Sequence, residues 1–273
     1  MIRNLLIAFT IALAALCSTQ ASAQQKKVSY ELTKDIAYSP STDAYARERC
    51  KLDVYRPKDK TGCPVVVWFH GGGLTGGSKD IPARLKEQGV IIVTANYRLL
   101  PRVPVDSAIT DAAAAVAWTF RHAASLGGDP HRIYVSGHSA GGYLTMMVGL
   151  DKKWLGAYGV DADSIAALVP FSGQMISHFS YRKMHGYSPL QPLVDQYAPL
   201  FHVRKDCPPV YLITGDREIE LYGRYEENAY MARMLRLVGH PDVHLYELDG
   251  HDHGAMADPA QHILLDVIHH KAR

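Results

Sequence analysis

A serine between two glycines stands near the middle of the chain, where residues 137–141 read G-H-S-A-G. The apolar, β-branched run at 131–136 favours a strand before it, and the proline-free run at 143–150 favours a helix after it. A sharp turn between the two would hold Ser139 in strained backbone, with its hydroxyl at the apex and the free N–H groups of the helix N-terminus close by. The pattern indicates a nucleophilic serine. An idle serine in a glycine-rich turn would carry the same letters, so partners elsewhere in the chain must decide.

Three consecutive glycines, Gly71, Gly72 and Gly73, follow His70 at the end of a second apolar run. Without side chains, their backbone N–H groups are free to stabilise the oxyanion of a tetrahedral intermediate. The alternative is a phosphate-binding loop or a flexible turn. The G-x-x-x-x-G-K-[ST] spacing of phosphate-binding loops is not met in this loop, which favours the oxyanion interpretation.

The elements that must position these groups alternate along the chain. Apolar or alternating runs predict strands at 32–38, 51–55, 64–70, 90–95, 131–136, 165–169, 210–213 and 243–248. Helical patterns lie at 81–88, 106–125, 143–150, 222–238 and 261–270. This alternation predicts an α/β fold with a mostly parallel, doubly wound sheet, whose ligand sites lie at the carboxyl ends of the strands. The serine turn, the glycine loop, an acidic stretch at 216–220 and a histidine cluster at 251–253 each follow a predicted strand.

The combination of H-G-G-G at 70–73 with G-x-S-x-G at 137–141 resembles the α/β-hydrolase superfamily. Within it, the chain is most similar to the hormone-sensitive-lipase-like esterases and to bacterial feruloyl and acetylxylan esterases. The stretches at 52–57, 96–99 and 128–133 are also similar to stretches of that group. His138 stands where the lipase-like branch usually has an acid, which favours the feruloyl and acetylxylan branch.

The resemblance implies that Gly72, Gly73 and Ala140 supply the oxyanion-hole N–H groups. It also implies that His70 holds the glycine loop in place, a role that needs no proton transfer.

Members of this superfamily carry the nucleophile, the acid and the histidine in that order along the chain. The strand at 210–213 is followed by T-G-D-R-E-I-E at 214–220, and the family pattern G-x-x-D places the acid on Glu218. Asp216 remains the rival, because aspartate is commoner in this role. A solvated acidic helix start is the alternative for both carboxylates.

The base is expected on the loop at 249–254, where the family pattern G-x-x-H indicates His253. His251 is the rival. A metal site built from His251, Asp252 and His253 is a weaker hypothesis, because no motif supplies a further ligand. In the favoured interpretation His253 takes the proton of Ser139, and Glu218 orients the imidazole and stabilises the imidazolium.

The resemblance implies a carboxylesterase that works through an acyl-enzyme without metal or organic cofactor. An insertion at about 172–207 is expected to form a short cap whose apolar and aromatic side chains line an acyl or aryl pocket. A small ester or acylated carbohydrate is the expected substrate, such as an acetyl or feruloyl ester of plant polysaccharide. The alternatives are an arylformamidase-like amide hydrolase and a non-catalytic binding module on the same fold.

The first 23 of the 273 residues read as a signal peptide, with Arg3, an apolar run at 5–16 and A-S-A at 21–23. This predicts an exported, periplasmic or secreted protein, one hydrolase domain at 24–273 and no membrane insertion after cleavage. A net charge of +2 favours no nucleic-acid partner. Beyond the leader, Cys50, Cys63 and Cys207 allow either one disulfide with one thiol or three thiols. The oligomeric state is not indicated by the sequence.

Overall fold

The computed structural model describes residues 28–270, so the predicted signal peptide at 1–23 lies outside the described residues. The strands are β1 (Tyr30–Ala37), β2 (Lys51–Pro57), β3 (Cys63–Phe69), β4 (Ile91–Ala95), β5 (Gly128–His138), β6 (Ala167–Phe171), β7 (Val210–Gly215) and β8 (Val243–Leu248). The helices are α1 (Ala44–Arg49), α2 (Val105–His122), α3 (Ala140–Leu150), α4 (Lys152–Gly156), α5 (Phe179–Met184), α6 (Arg224–Leu237) and α7 (Ala257–His270). None of these helices is both long and apolar enough to cross a membrane.

The eight strands form one sheet in the order β1-β2-β4-β3-β5-β6-β7-β8. Strand β2 pairs antiparallel with β1 and β4, and the pairs from β4 through β3 and β5 to β8 are all parallel. The predicted mostly parallel sheet is therefore confirmed. The carboxyl ends of β3, β5, β6, β7 and β8 meet at one edge, where the loops that carry the candidate residues come together.

Both faces of the sheet are covered, which explains why the central strands read as continuous apolar runs. In β3, Val65, Val67 and Phe69 point into the core shared with α2, α3 and α6, while Val66 and Trp68 point into the core shared with α7. The doubly wound arrangement follows from this alternation.

The helix predicted at 81–88 is wrong, because only one 3₁₀ turn forms there, at Ala83–Leu85. Lys86 ends that turn in an extended conformation with ψ 140°, and Glu87 adopts a left-handed φ of 61°, which a helix does not tolerate. Leu85 is nevertheless fully buried, so the turn still contributes to the core. The short helices α1, α4 and α5 were not predicted.

The three described cysteines Cys50, Cys63 and Cys207 are free thiols and all are buried. Burial raises the pKa of each thiol above its usual value. They stay protonated at neutral pH and pack as small apolar side chains.

The turn between β5 and α3 brings backbone against backbone. A Cβ on Gly141 would lie 2.0 Å from the carbonyl oxygen of Phe69, and a Cβ on Gly137 would lie 2.5 Å from the same atom. Both glycines are therefore steric requirements of the sheet and helix packing.

We predict that Gly141→Ala lowers the free energy of unfolding by at least about 3 kcal/mol, because the clash is with backbone that cannot move aside. Gly156→Ala is the matched control. A Cβ at Gly156, the last residue of α4, meets nothing within 4 Å, and this change should stay within about 1 kcal/mol. Urea unfolding of both variants measures the difference, and equal stabilities would contradict the steric account.

Candidate active site

Ser139 occupies the turn between β5 and α3 with φ 57° and ψ −114°, a conformation that residues other than glycine rarely adopt. Its N–H donates to the carbonyl of Phe171 at 2.8 Å, which ties the turn to the end of β6. The residue is 8% exposed. The strained apex expected from the sequence is therefore present.

His253 comes from the loop between β8 and α7 and meets the serine directly. Its Nε2 lies 2.8 Å from Ser139 Oγ, so the hydroxyl donates to the imidazole. The ring is only partly covered, since 17% of the side chain is exposed. Ser139 and His253 are thus brought together as the sequence predicted.

The residue before the serine fixes the histidine loop. Nε2 of His138 donates to the backbone carbonyl of His253 at 2.7 Å. Burial, with the neighbouring imidazole of His253, lowers the pKa of His138 to about 4. His138 is neutral at pH 7 and acts as a hydrogen-bond donor to the histidine loop. The residue type at this position did not predict that contact.

The carboxylate that faces the imidazole belongs to Glu220, and the expected acid Glu218 does not reach it. Glu220 Oε1 accepts from His253 Nδ1 at 2.6 Å, and 1% of the Glu220 side chain is exposed. Glu218 is exposed, and its backbone N–H donates to Asp216 Oδ1 at 2.9 Å.

The physical reason is a single helical turn that follows β7. The N–H of Glu220 donates to the carbonyl of Asp216 at 2.8 Å, four residues earlier. Residues four apart in such a turn lie on the same side, whereas a residue two positions along points away. Asp216 and Glu220 therefore face the histidine loop, and Glu218 faces solvent. The four-residue spacing of these two acids was the signal in the sequence that could have indicated Glu220.

Asp216 and His251, the two rivals, hold the loops together instead of forming the triad. One oxygen of Asp216 accepts from Gly250 N–H at 2.8 Å, and the N–H of Asp216 donates to the carbonyl of His251 at 2.8 Å. The His251 ring bonds the carbonyl of Asp249 at 2.9 Å within its own loop. These contacts fix the distance between the carboxylate and the imidazole.

Glu220 is held as an anion by donors on both oxygens. Oε1 also accepts from Leu221 N–H at 2.8 Å, and Oε2 accepts from Ser172 Oγ at 2.7 Å and Gly215 N–H at 3.0 Å. Burial on its own raises the pKa of Glu220, but the hydrogen bonds from His253, Leu221 and Ser172 and the charge of His253 outweigh it and lower the pKa to about 2. The imidazole therefore faces a carboxylate at any pH at which the histidine itself is neutral.

The glycine loop lies against the serine. A Cβ on Gly71 would be 3.4 Å from Ser139 Cβ, and Gly72 and Gly73 adopt φ values of 111° and 64°. Within residues 28–270, neither Gly72 nor Gly73 donates its N–H to a protein acceptor. Ala140 is the first residue of α3, where N–H groups have no intrahelical partner. Gly72 and Gly73 follow the glycine that contacts Ser139, and Ala140 follows the serine directly, so their role as oxyanion donors stays a prediction.

His70 and its neighbours keep the glycine loop rigid. The His70 ring stacks on Tyr97 with centroids 4.4 Å apart, and its Nδ1 donates to the carbonyl of Gly71 at 2.6 Å. Burial lowers the pKa of His70 to about 4. Arg49 donates to the carbonyls of Tyr97 at 3.1 Å and Gly77 at 2.5 Å, which closes the loop from the other side.

The segment expected to form a cap, 172–207, contains α5 and contacts the glycine loop. Ser180 Oγ donates to the carbonyl of Gly73 at 2.5 Å, and the Phe179 ring lies 3.1 Å from where a Gly73 Cβ would be. A mainly apolar cavity of about 400 Å³ opens beside them. Its lining residues are Thr75, Pro101, Phe179, Ser180, Lys183 and Met184.

The arrangement has the parts needed for nucleophilic attack on a carbonyl. A hydroxyl contacts an imidazole, the imidazole is oriented by a carboxylate, and the N-terminus of α3 begins at the residue after the nucleophile. In the part of the chain that the structure describes, no three His, Cys, Asp or Glu side chains are grouped so as to hold a metal ion.

A sequence model of the BD-FAE family matches residues 52–221, more than half of the chain. The chain belongs to the BD-FAE family. The matched region runs from β2 through the glycine loop and the serine turn to Glu220 of the BD-FAE site, and it ends before His253.

The curated proteins to which the chain is similar are named as esterases. The chain is 28% identical over 243 residues to a probable isoprenylcysteine alpha-carbonyl methylesterase of Oryza sativa subsp. japonica, covering 77% of this chain and 56% of that protein. It is 42% identical over 97 residues to carboxylesterase NlhH of Mycobacterium tuberculosis, covering 34% of this chain and 30% of that protein. The chain thus spans about half the length, or less, of these curated relatives.

Solved structures confirm the α/β-hydrolase fold of this BD-FAE chain. A truncated carbohydrate esterase from gut microbiota superposes with a TM-score of 0.71 at 18% identity, covering 90% of this chain and 97% of that one. Esterase 2 of Thermogutta terrifontis gives a TM-score of 0.65 at 22% identity, covering 89% and 92%. The predicted resemblance to hormone-sensitive-lipase-like esterases is also confirmed.

We predict that Glu220→Gln lowers the rate of covalent labelling of Ser139 by a fluorophosphonate about a thousandfold, because the imidazole loses its anionic partner. Glu218→Gln, an isosteric change in the same turn, should leave the rate within about twofold. Labelling followed by mass spectrometry of the modified peptide measures both effects. Loss of labelling in Glu218→Gln with retention in Glu220→Gln would restore the original assignment.

Proposed function

We propose that this chain is an exported serine carboxylesterase that hydrolyses short-chain or aromatic acyl esters through an acyl-enzyme. The observation that carries the proposal is the continuous chain of hydrogen bonds from Ser139 through His253 to Glu220, set beside the glycine loop. Relatives named as esterases support the same reaction class.

The steps follow from the positions of the groups. Ser139 Oγ attacks the ester carbonyl while His253 Nε2 takes its proton, and Glu220 stabilises the imidazolium that forms. The N–H groups of Gly72, Gly73 and Ala140 receive the oxyanion, whose charge develops only in the transition state. His253 then gives the proton to the leaving alkoxide. Water, activated by His253, attacks the acyl-enzyme carbonyl, and the carboxylic acid leaves as Ser139 regains its proton.

A non-catalytic module on this fold would have no need for this arrangement. The hydroxyl, the imidazole and the carboxylate come from three separate loops, and each is anchored by its own backbone contacts. Strained serine backbone is retained where surrounding structure imposes it, and it is commonest at functional sites. These features favour an enzyme.

The cavity beside the glycine loop supports short or flat acyl groups. It is mainly apolar, and one of its lining residues is Phe179, whose ring contacts Gly73. Each methylene that enters an apolar pocket contributes about 0.8 kcal/mol, whereas one that stays in water contributes nothing. A tail longer than the cavity therefore gains no further binding.

The finer proposal is that the acyl group is acetyl or feruloyl and that the alcohol is a hydroxyl of plant polysaccharide. It rests on the resemblance to feruloyl and acetylxylan esterases and on export. It determines which natural substrates are tested first.

Export rests on the sequence of residues 1–23. We predict that the protein expressed with its leader in a bacterial host is recovered outside the cytoplasm, with Gln24 as its first residue. Cell fractionation and N-terminal sequencing measure this. Uncleaved protein in the cytoplasm would contradict export and leave the chemistry untouched.

We predict that kcat/KM is highest for acetyl or butyryl nitrophenyl esters and falls at least tenfold at octanoyl and palmitoyl. Methyl ferulate, acetylated xylan and an aryl formamide complete the panel, and the aryl formamide should be the poorest of the three if the reaction is ester hydrolysis. Ser139→Ala should lower turnover at least about a thousandfold.

The variant Phe179→Ala should raise the ratio of octanoyl to acetyl turnover several-fold, because it removes a ring from the cavity lining and enlarges the cavity beside Gly73. Phe201→Ala, at a ring that is 60% exposed, is the matched control and should leave that ratio unchanged. A maximum at octanoyl or longer in the wild type would indicate a lipase and contradict the proposed pocket.

A further inference from the structure

Ser172, the first residue after β6, is a buried side chain that the three-residue triad leaves out. Its hydroxyl donates to Glu220 Oε2 at 2.7 Å, and its oxygen lies 3.1 Å from His253 Nδ1. The hydroxyl therefore touches both the carboxylate and the imidazole. Together the three side chains form a closed ring of polar contacts behind the imidazole, on the side away from Ser139.

The backbone of Ser172 is held in an unusual conformation by contacts on both sides. Its φ is 46°, a value that favours glycine. Its N–H donates to the carbonyl of Ile213 at 2.7 Å, and its carbonyl accepts from Nη1 of the buried Arg224. These contacts fix the direction in which the hydroxyl points.

The first turns of α6 hold the rest of this loop. Asn228 Nδ2 donates to the carbonyl of Gly173 at 2.9 Å, and Glu227 accepts from the N–H groups of Met175 at 2.9 Å and Ile176 at 3.4 Å. Helix α6 begins four residues after Glu220, so one rigid element anchors both the acid and the loop that carries the serine. A non-glycine residue at positive φ that is anchored so thoroughly indicates a requirement for its side chain.

We propose that Ser172 is a positioning residue that orients Glu220 toward His253, an inference that rests on the proposed function. A carboxylate that is bound only through Oε1 can rotate about its terminal bond and still accept from the imidazole at a poorer angle. The Ser172 hydroxyl, with the N–H of Gly215, fixes Oε2 and thereby directs Oε1 at His253 Nδ1. The hydroxyl is buried and contacts the Nδ1 side of His253, opposite the nitrogen that meets Ser139, so we expect it to act on the rate of reaction and not on substrate binding.

The test compares Ser172→Ala with Ser172→Gly on a nitrophenyl acetate assay. Both variants lack the hydroxyl, but only glycine suits the positive φ. We expect kcat to fall about tenfold to a hundredfold in both, with KM within about twofold, and the fluorophosphonate labelling rate to fall by the same factor as kcat. Ser136→Ala is the matched control, since this buried serine in β5 donates to the carbonyl of Val169 at 2.6 Å away from the triad, and kcat should be unchanged.

A double variant separates a positioning role from a merely structural one. If Ser172 acts through Glu220, adding Ser172→Gly to Glu220→Gln lowers kcat less than twofold further. Wild-type kcat in Ser172→Gly, a rise in KM equal to the loss of kcat/KM, or multiplicative effects in the double variant would each overturn the proposal. An active Ser139→Ala protein would instead overturn the proposed function, so the two failures are distinguishable.

Discussion

The close approach of strand and helix around Ser139 is the constraint on which the rest of the site depends. The Phe69 carbonyl leaves no room for a Cβ at position 137 or position 141. Between these two glycines the chain reverses sharply at the serine. The reversal places the hydroxyl above the carboxyl ends of β3, β5 and β6, where the N-terminus of α3 also begins. The unfavourable backbone of one residue is thus maintained by the packing of a whole sheet and a buried helix.

The other groups reach the serine because neighbouring parallel strands deliver their loops to the same edge. The distances between the triad side chains also depend on hydrogen bonds that join a side chain of one loop to the backbone of another. His138 binds the carbonyl of His253, Asp216 binds the N–H of Gly250, and Ser180 binds the carbonyl of Gly73. Such hydrogen bonds between loops hold the triad distances of 2.6 Å and 2.8 Å.

The titratable groups at the site differ in charge because their surroundings differ. Glu220 keeps its charge because donors occupy both oxygens, whereas His70 and His138 are neutral because burial removes the charged imidazolium from water and lowers the pKa of each. The two neutral histidines donate hydrogen bonds to the backbone carbonyls of Gly71 and His253. Of these three histidines, His253 is the one that lies between a hydroxyl and a carboxylate, which is the environment that proton transfer requires.

The sequence by itself determined what depends on local signals. The eight apolar or alternating runs predicted the strands, because burial of a strand restricts its residues to apolar types. The glycine spacing predicted the serine turn and the glycine loop, because close backbone contacts exclude a Cβ. The positions of Ser139 and His253 at strand ends followed from the same alternation. The sequence analysis expected the acid at Glu218 or Asp216, and the tertiary structure places Glu220 on the imidazole instead, because one helical turn after β7 rotates neighbouring carboxylates to opposite sides. Ser172 likewise leaves no signal of its own in the sequence, since its role depends on contacts with Glu220, 48 residues away, and with His253, 81 residues away.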